Sequence, residues 1–379
     1  MARVVRTPVL SAAEPDWSGI VGSITGDNLD FILDPWAPGS NAFFLSTDGV
    51  WRTTDIKTAA PPTWTQVLSA ADVATDTGRT NVKFWYKLEA SINQQDYVGL
   101  LVTTDSDAAG GIHVGEDDRR LYYAYTTDSG TTWNYSIVQD ADGTSTLTRP
   151  GGGLALVPRL VGGALRVYAG AYRVESPERH VIYRSDNAGA SWARTTTLTY
   201  SGDPAGPHCM MAPYHNNQSG NTVWVAFSSD NGVKGIYKST DSGASFTQVT
   251  LPGLADSAHT SKVKRLGVEI YAQNSDLIAI WTGSNQLFKS LDGGATFSEI
   301  PFTGYSPATH GSVMGASGFP YSGGRYNIIT SERFVFTSVD GGHSWQDRSG
   351  DIRTEITTNP ITTGTRNGSL TPDWTDSGS

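Results

Sequence analysis

Ser239-Thr240-Asp241-Ser242-Gly243-Ala244-Ser245-Phe246 returns along this chain often enough to set its architecture. It recurs as Thr126-Thr127-Asp128-Ser129-Gly130-Thr131-Thr132-Trp133, as Ser290-Leu291-Asp292-Gly293-Gly294-Ala295-Thr296-Phe297, and as Ser338-Val339-Asp340-Gly341-Gly342-His343-Ser344-Trp345. A fifth copy, Ser185-Asp186-Asn187-Ala188-Gly189-Ala190-Ser191-Trp192, carries Asn where the others carry Asp. A sixth is stretched, with Thr53-Thr54-Asp55 separated from Thr63-Trp64 by an insertion rich in Ala and Pro. The consensus is Ser/Thr-x-Asp-x-Gly-x-Ser/Thr-aromatic. In such a stretch the Asp or Asn oxygen caps backbone N–H groups of a tight turn, and Gly supplies the positive φ. The closing aromatic opens the next strand and plugs the space beneath the turn.

Each copy follows a strand-like run (121–125, 181–183, 235–238, 287–289 and 334–336) and precedes another, so the motif is the turn of a β-hairpin. Two further strands precede the hairpins, at 153–160 and 165–171, at 209–214 and 222–227, and at 263–272 and 277–281. Four short antiparallel strands in each unit of about 50 residues predict the blade of a β-propeller. No helix is expected. From Asp55 onward the box-to-box spacing falls through 73, 59, 54, 51 and 48 residues, the first interval being widened by an insertion near 104–120. The expectation is an all-β chain forming a single β-propeller domain over 1–379, with six four-stranded antiparallel blades favoured and seven open. The boxes span about 25–350, while 1–24 and 351–379 complete the ring or form a degenerate blade.

The motif resembles the Asp-box, or bacterial neuraminidase repeat, of sialidase-like propellers. The resemblance implies the fold strongly and the function weakly, since Asp-boxes also occur in xyloglucanases, assembly factors, sorting receptors and phage or surface proteins. A structural role is therefore expected for Asp55, Asp128, Asn187, Asp241, Asp292, Asp340, Trp64, Trp133, Trp192, Phe246, Phe297 and Trp345.

Composition narrows the function. Of 379 residues, 17% are charged, the net charge is −10 and the pI is near 5.1, which argues against nucleic acid as a partner. The lone Cys209 excludes a disulfide framework and any multi-Cys metal site. The longest apolar runs, such as Leu277-Ile278-Ala279-Ile280-Trp281, are strand-sized, so no membrane insertion is expected. The start, Met1-Ala2-Arg3-Val4-Val5-Arg6, lacks the apolar stretch of a secretory signal. An extracellular or particle-surface location is expected, with a cytoplasmic one open.

Strand alternation places the boxes at one end of the blades, together with the turn between the first two strands. The second-to-third-strand loops and the blade-to-blade connections lie at the other end, where binding residues concentrate on loops. Candidates there are Arg79, Arg149, Arg173, His208, Lys262, Tyr305 and His310, joined by Trp36 in Asp34-Pro35-Trp36-Ala37-Pro38. Trp85, Trp224 and Trp281 read as core. Asp105-Ser106-Asp107 and Asp140-Ala141-Asp142-Gly143 resemble the start of calcium loops, but acidic turns without metal account for them. No metal and no cofactor is expected.

The sialidase resemblance would imply an Arg clamp for a carboxylate, a Tyr nucleophile paired with Glu, and an Asp acid/base. The stretch comparable to the family's first Arg motif, Ile20-Val21-Gly22-Ser23-Ile24-Thr25-Gly26-Asp27, has no Arg. Tyr305-Ser306 resembles the family's Tyr-Ser, and Glu269 lies on an inner strand. A two-carboxylate hydrolase would draw on Asp105, Asp107, Glu116, Glu175 or Asp230. The leading expectation is a non-catalytic binding or structural module for glycan or protein partners, alone, as a homo-oligomer or in a particle. The alternatives are a glycoside hydrolase acting at the loop end and an assembly scaffold. No catalytic residue is assigned.

Overall fold

Local hydrogen bonding builds the fold from the hairpins outward. The computed structural model describes residues 28–34, 41–55, 63–91, 94–105, 120–139, 148–161, 163–173, 179–199, 208–213, 221–228, 235–249, 265–268, 278–281, 286–290, 292, 294–301, 303–311, 313–319, 325–330, 334–340 and 342–349. Among them are six four-stranded sheets. The first holds β1 (Asn28–Leu33), β2 (Ala42–Ser46), β3 (Gly49–Thr53) and β4 (Thr65–Ser69) in that order. The second holds β5 (Asn81–Ala90), β6 (Val98–Asp105), β7 (Arg120–Thr126) and β8 (Asn134–Ile137). The third comprises β9 (Thr148–Val161), β10 (Ala164–Arg173), β11 (Arg179–Ser185) and β12 (Ala193–Thr199). The fourth comprises β13 (His208–Pro213), β14 (Val223–Ser228), β15 (Gly235–Ser239) and β16 (Thr247–Val249). The fifth runs β17 (Arg265–Val268), β18 (Ile278–Trp281), β19 (Leu287–Ser290) and β20 (Ser298–Ile300). The sixth runs β21 (Val313–Phe319), β22 (Arg325–Thr330), β23 (Val335–Ser338) and β24 (Gln346–Asp347). Wherever the register of consecutive strands is described they pair antiparallel, and every box lies between the third and fourth strand of its sheet.

One expectation is corrected: the chain does hold helix. Residues Ala70–Thr77 form α1, and Pro307–His310 make a single turn, α2. In α1 the Ser69 side chain accepts from the Asp72 N–H while Asp72 reaches back to the Ser69 N–H, which is a capping box. Gly78, at φ 67°, closes the other end in the left-handed conformation. The Ser-x-x-Asp signal was present in the sequence, but a segment with one buried apolar residue, Val73, carries no helical periodicity.

The contacts divide into two compact units, Leu68–Val268 and Met1–Val67 with Glu269–Ser379. In the first unit, Tyr97, Leu101, Tyr123, Leu154, Val167, Tyr183 and Trp192 are among the buried residues of one cluster spanning the second and third sheets. Trp192 stands edge-on to Tyr123, with ring centroids 5.4 Å apart. The Tyr97 hydroxyl lies 2.9 Å from that of Tyr123 and donates to the Ala188 carbonyl at 2.7 Å. The second unit has its own cluster, in which Leu287, Ile300, Tyr305, Ile328, Phe334, Phe336 and Trp345 are buried together. Trp85 and Trp224 are buried, as expected of core positions.

Tyr123 needs glycine around it. A Cβ at Gly189 would lie 2.2 Å from its ring, and one at Gly99 would lie 2.1 Å from its hydroxyl. Gly189 also has φ +87°, whereas Gly163, at φ +88°, faces open space. Gly163→Ala is expected to cost about 1 kcal/mol through the left-handed backbone alone. Gly189→Ala adds overpacking and should cost about 3 kcal/mol in urea unfolding. Equal losses at the two sites would contradict the packing around Tyr123.

Candidate functional site

The boxes share one hydrogen-bond pattern. The first hydroxyl of each complete box is buried, as it is for Thr126, Ser185, Ser239, Ser290 and Ser338, none more than 1% exposed. It donates to the acid or amide two residues on, at 2.7 Å in Thr126–Asp128 and Ser239–Asp241 and 2.8 Å in Ser185–Asn187. It also accepts from the box glycine, with Gly130, Gly189 and Gly243 N–H all at 2.8 Å. One carboxylate oxygen accepts from the backbone four residues on, at 2.8 Å for Thr132 and 2.9 Å for Ser245, Thr296 and Ser344. The other accepts from the hydroxyl of that same residue. Ser129, Ala188 and Ser242, one residue after the acid or amide, have φ of 56°, 58° and 62°. That left-handed position and the buried first hydroxyl are box features that the sequence reading did not single out.

Asn187 reproduces the pattern with its amide, accepting from Ser191 N–H at 2.9 Å and donating to Ser191 Oγ at 2.8 Å. The stretched copy works too: Thr53 Oγ1 donates to Asp55, which accepts from Thr63 N–H at 3.0 Å across the insertion. Trp64, Trp192, Phe297 and Trp345 are buried, while Trp133 and Phe246 are half-buried.

In the first unit the box ends also fasten neighbouring sheets. Ser136 on β8 donates to the Gly189 carbonyl and accepts from Trp192 Nε1 at 2.9 Å. Arg166, buried on β10, pairs with Asp186 at 2.5 Å and reaches Ser242 Oγ at 2.9 Å in the next box. Ser129 and Ser242 bond Asp96 and Asn221, which lie in the first-to-second-strand turns of their own sheets. The boxes and those turns thus share one end.

The carboxylates are held ionised by these bonds. Asp128 is lowered to about 2 by the Thr132 backbone and then its hydroxyl, and Asp241 to about 2 by the Ser245 hydroxyl and backbone. Asp292 is lowered to about 2 by Thr296 in the same way. At Asp340 desolvation works upward, yet the Ser344 and Ser338 bonds outweigh it and hold the group at about 2. Such acids are fully engaged acceptors with no proton to give near neutral pH.

Some of the candidate loop residues stand at or beside the sheet ends away from the boxes. In the third sheet Tyr172 pairs with Arg149 and with His180, and the next row pairs Arg173 with Thr148 and with Arg179. Arg149 and Arg173 therefore share one sheet end. His208 opens β13 opposite Ser228 at the same end of the fourth sheet. Arg79 follows α1, its N–H bonding Ala74 at 3.0 Å, just before Asn81 pairs with Asp105. In the second unit Tyr305 and His310 stack with centroids 6.0 Å apart. The Tyr305 ring is buried and its hydroxyl donates to the Gly311 carbonyl at 2.6 Å, a structural engagement for the phenol singled out by its Tyr-Ser context. Trp36, Lys262, Glu269, Asp107, Glu116, Glu175, Asp230, 20–27 and 140–143 lie outside the described residues. No cluster of metal-ligating side chains occurs among the described residues.

No family model matches the chain, and no curated protein matches it. Solved structures do. A GH74 enzyme of Niastella koreensis is similar at a TM-score of 0.60 and 19% identity, over 87% of this chain and 46% of that one. The GH74 xyloglucanase of Xanthomonas campestris is similar at 0.56 and 15%, over 85% of this chain and 45% of that one. A Trypanosoma rangeli sialidase aligns at 0.47 and 9%, over 88% and 57%. The chain thus spans less than half the length of either GH74 enzyme, and what it shares with them is an all-β, propeller-type fold.

The lowered carboxyls set a pH dependence. Their folded values lie below the ordinary 3.8, so the stability they contribute is complete above that value and is lost as pH falls through about 2. Urea titrations from pH 5 to pH 2 should show this loss. Asp241→Asn, which can copy the bonds of Asn187, should fold at pH 7 and lose less stability over that range. An unchanged acid slope would contradict the assignment.

Proposed function

We propose that the six sheets close a single six-bladed propeller and that the protein is a glycan-directed module of glycoside-hydrolase type, taking its polysaccharide at the sheet ends opposite the boxes. The observation that carries this is the fold shared with a GH74 enzyme over 87% of this chain. The choice of end follows from chemistry. Box oxygens are already spent on turn N–H and hydroxyl groups, whereas the other end gathers Arg149, Arg173 and His208 at strand termini.

The glycan is neutral rather than a sialoside. This choice is supported by residues 20–27, which lack the Arg of the family's first motif, and by the Tyr305 phenol, whose hydroxyl is engaged by the Gly311 carbonyl. Xyloglucan, named for one structural relative, is the first polysaccharide to try. Such a role belongs outside the cell or on a particle surface, where polysaccharide is met.

The test is electrophoresis of the protein through gels containing xyloglucan, arabinan or no polysaccharide, with parallel measurement of reducing ends. Retardation together with released reducing ends supports the hydrolase form. Retardation without release supports a binding module. Mobility and reducing ends unchanged across the panel would overturn the glycan reading.

A further inference from the structure

The connection between the fifth and sixth sheets carries a histidine with one nitrogen spent and, among the described residues, the other left over. His310 ends α2, and its Nδ1 accepts the Ser306 backbone N–H at 2.9 Å. The His310 backbone N–H donates to the Ser306 carbonyl at 2.8 Å. An imidazole nitrogen that accepts carries no hydrogen, so the neutral ring holds its proton on Nε2. The ring is clamped: Phe334 and Phe336 meet it edge-on at 4.8 and 4.9 Å, and Tyr305 stacks at 6.0 Å. Phe334 belongs to the β22–β23 turn, where Thr330 N–H bonds its carbonyl at 3.0 Å, so His310 stands at the end of the sixth sheet away from the box.

Capping the Ser306 N–H requires only an acceptor, which an Asn or Asp would supply. The imidazole adds a donor. The residue remains partly exposed although three aromatic rings hold it. A donor already immobilised before binding loses little entropy when it meets a ligand.

We infer that His310 is a glycan-contacting residue, its Nε2–H donating to a hydroxyl or ring oxygen of a neutral polysaccharide. This rests on the glycan reading and deepens it by naming a residue and the sign of its hydrogen bond. With Nδ1 occupied, His310 neither ligates a metal through that atom nor acts as a base there.

His310→Asn separates the two roles, because an Asn oxygen can take the place of Nδ1 while no group replaces Nε2–H. The expected result is near wild-type melting with xyloglucan affinity lowered about three- to tenfold, the loss of one neutral hydrogen bond. His310→Ala should lower both melting temperature and affinity. Should the Asn variant fail to fold, nitrogen NMR of the wild-type ring decides: the oligosaccharide should shift the Nε2 resonance and leave Nδ1 unchanged. A folded Asn variant that binds as wild type, or an Nε2 resonance unmoved by bound ligand, overturns the assignment of His310 alone. A wild type that binds no polysaccharide removes the glycan reading itself.

Discussion

A buried Ser or Thr hydroxyl, donating to a carboxylate two residues on while accepting from a glycine N–H, is the contact on which the rest of the structure depends. Ser239 shows why: its Oγ meets Asp241 at 2.7 Å and Gly243 N–H at 2.8 Å, and Asp241 then accepts from Ser245. One side chain buried at 1% exposure thereby orients an exposed acid, and that acid satisfies donors that a tight turn would otherwise leave open. The turn sets the hairpin register, and a slip of one residue would exchange the buried and exposed faces of the sheet. The neutral copy at Asn187 shows that hydrogen-bond geometry, rather than charge, is the shared requirement.

Between sheets the fastening is less uniform, and it differs at each junction in the first unit. Tyr97, Ser136 and Trp192 join the second and third sheets: the Tyr97 and Ser136 hydroxyls donate to the Ala188 and Gly189 carbonyls, and the Trp192 indole donates to Ser136. Arg166 and Arg184 join the third and fourth through Asp186 and Ser242. Both Tyr97 and Tyr123 are pushed up as acids, burial being the main cause, so these phenols stay neutral hydrogen-bonding groups. A repeated motif therefore specifies each sheet, and individual side chains specify the neighbours.

That division explains what was legible. The box pattern and the strand-like runs around it placed the third strands of the second to sixth sheets within a residue or two, because a two-residue alternation ending in a turn is a local signal. The same local rule located the stretched turn at Asp55 across its insertion. Helix α1 escaped because its cues are its caps rather than its periodicity. The role of His310 was legible only as a loop position, since the Nδ1 contact with Ser306 and the ring contacts with Phe334 and Phe336 depend on a turn and on strands more than twenty residues away. Tyr305 looked like a site residue from its neighbours in sequence and is instead buried, with its hydroxyl committed to Gly311.

The boxes are scaffold at one end of the sheets, and the proposed recognition lies at the other. Amide hydrogen exchange with and without xyloglucan oligosaccharide tests that assignment most directly. The expected result is that the box amides of Thr132, Ser191, Ser245, Thr296 and Ser344 exchange slowly and equally in both states, while ligand slows exchange at the strand ends around Arg149 and His208. Ligand-dependent protection confined to the box amides would contradict it.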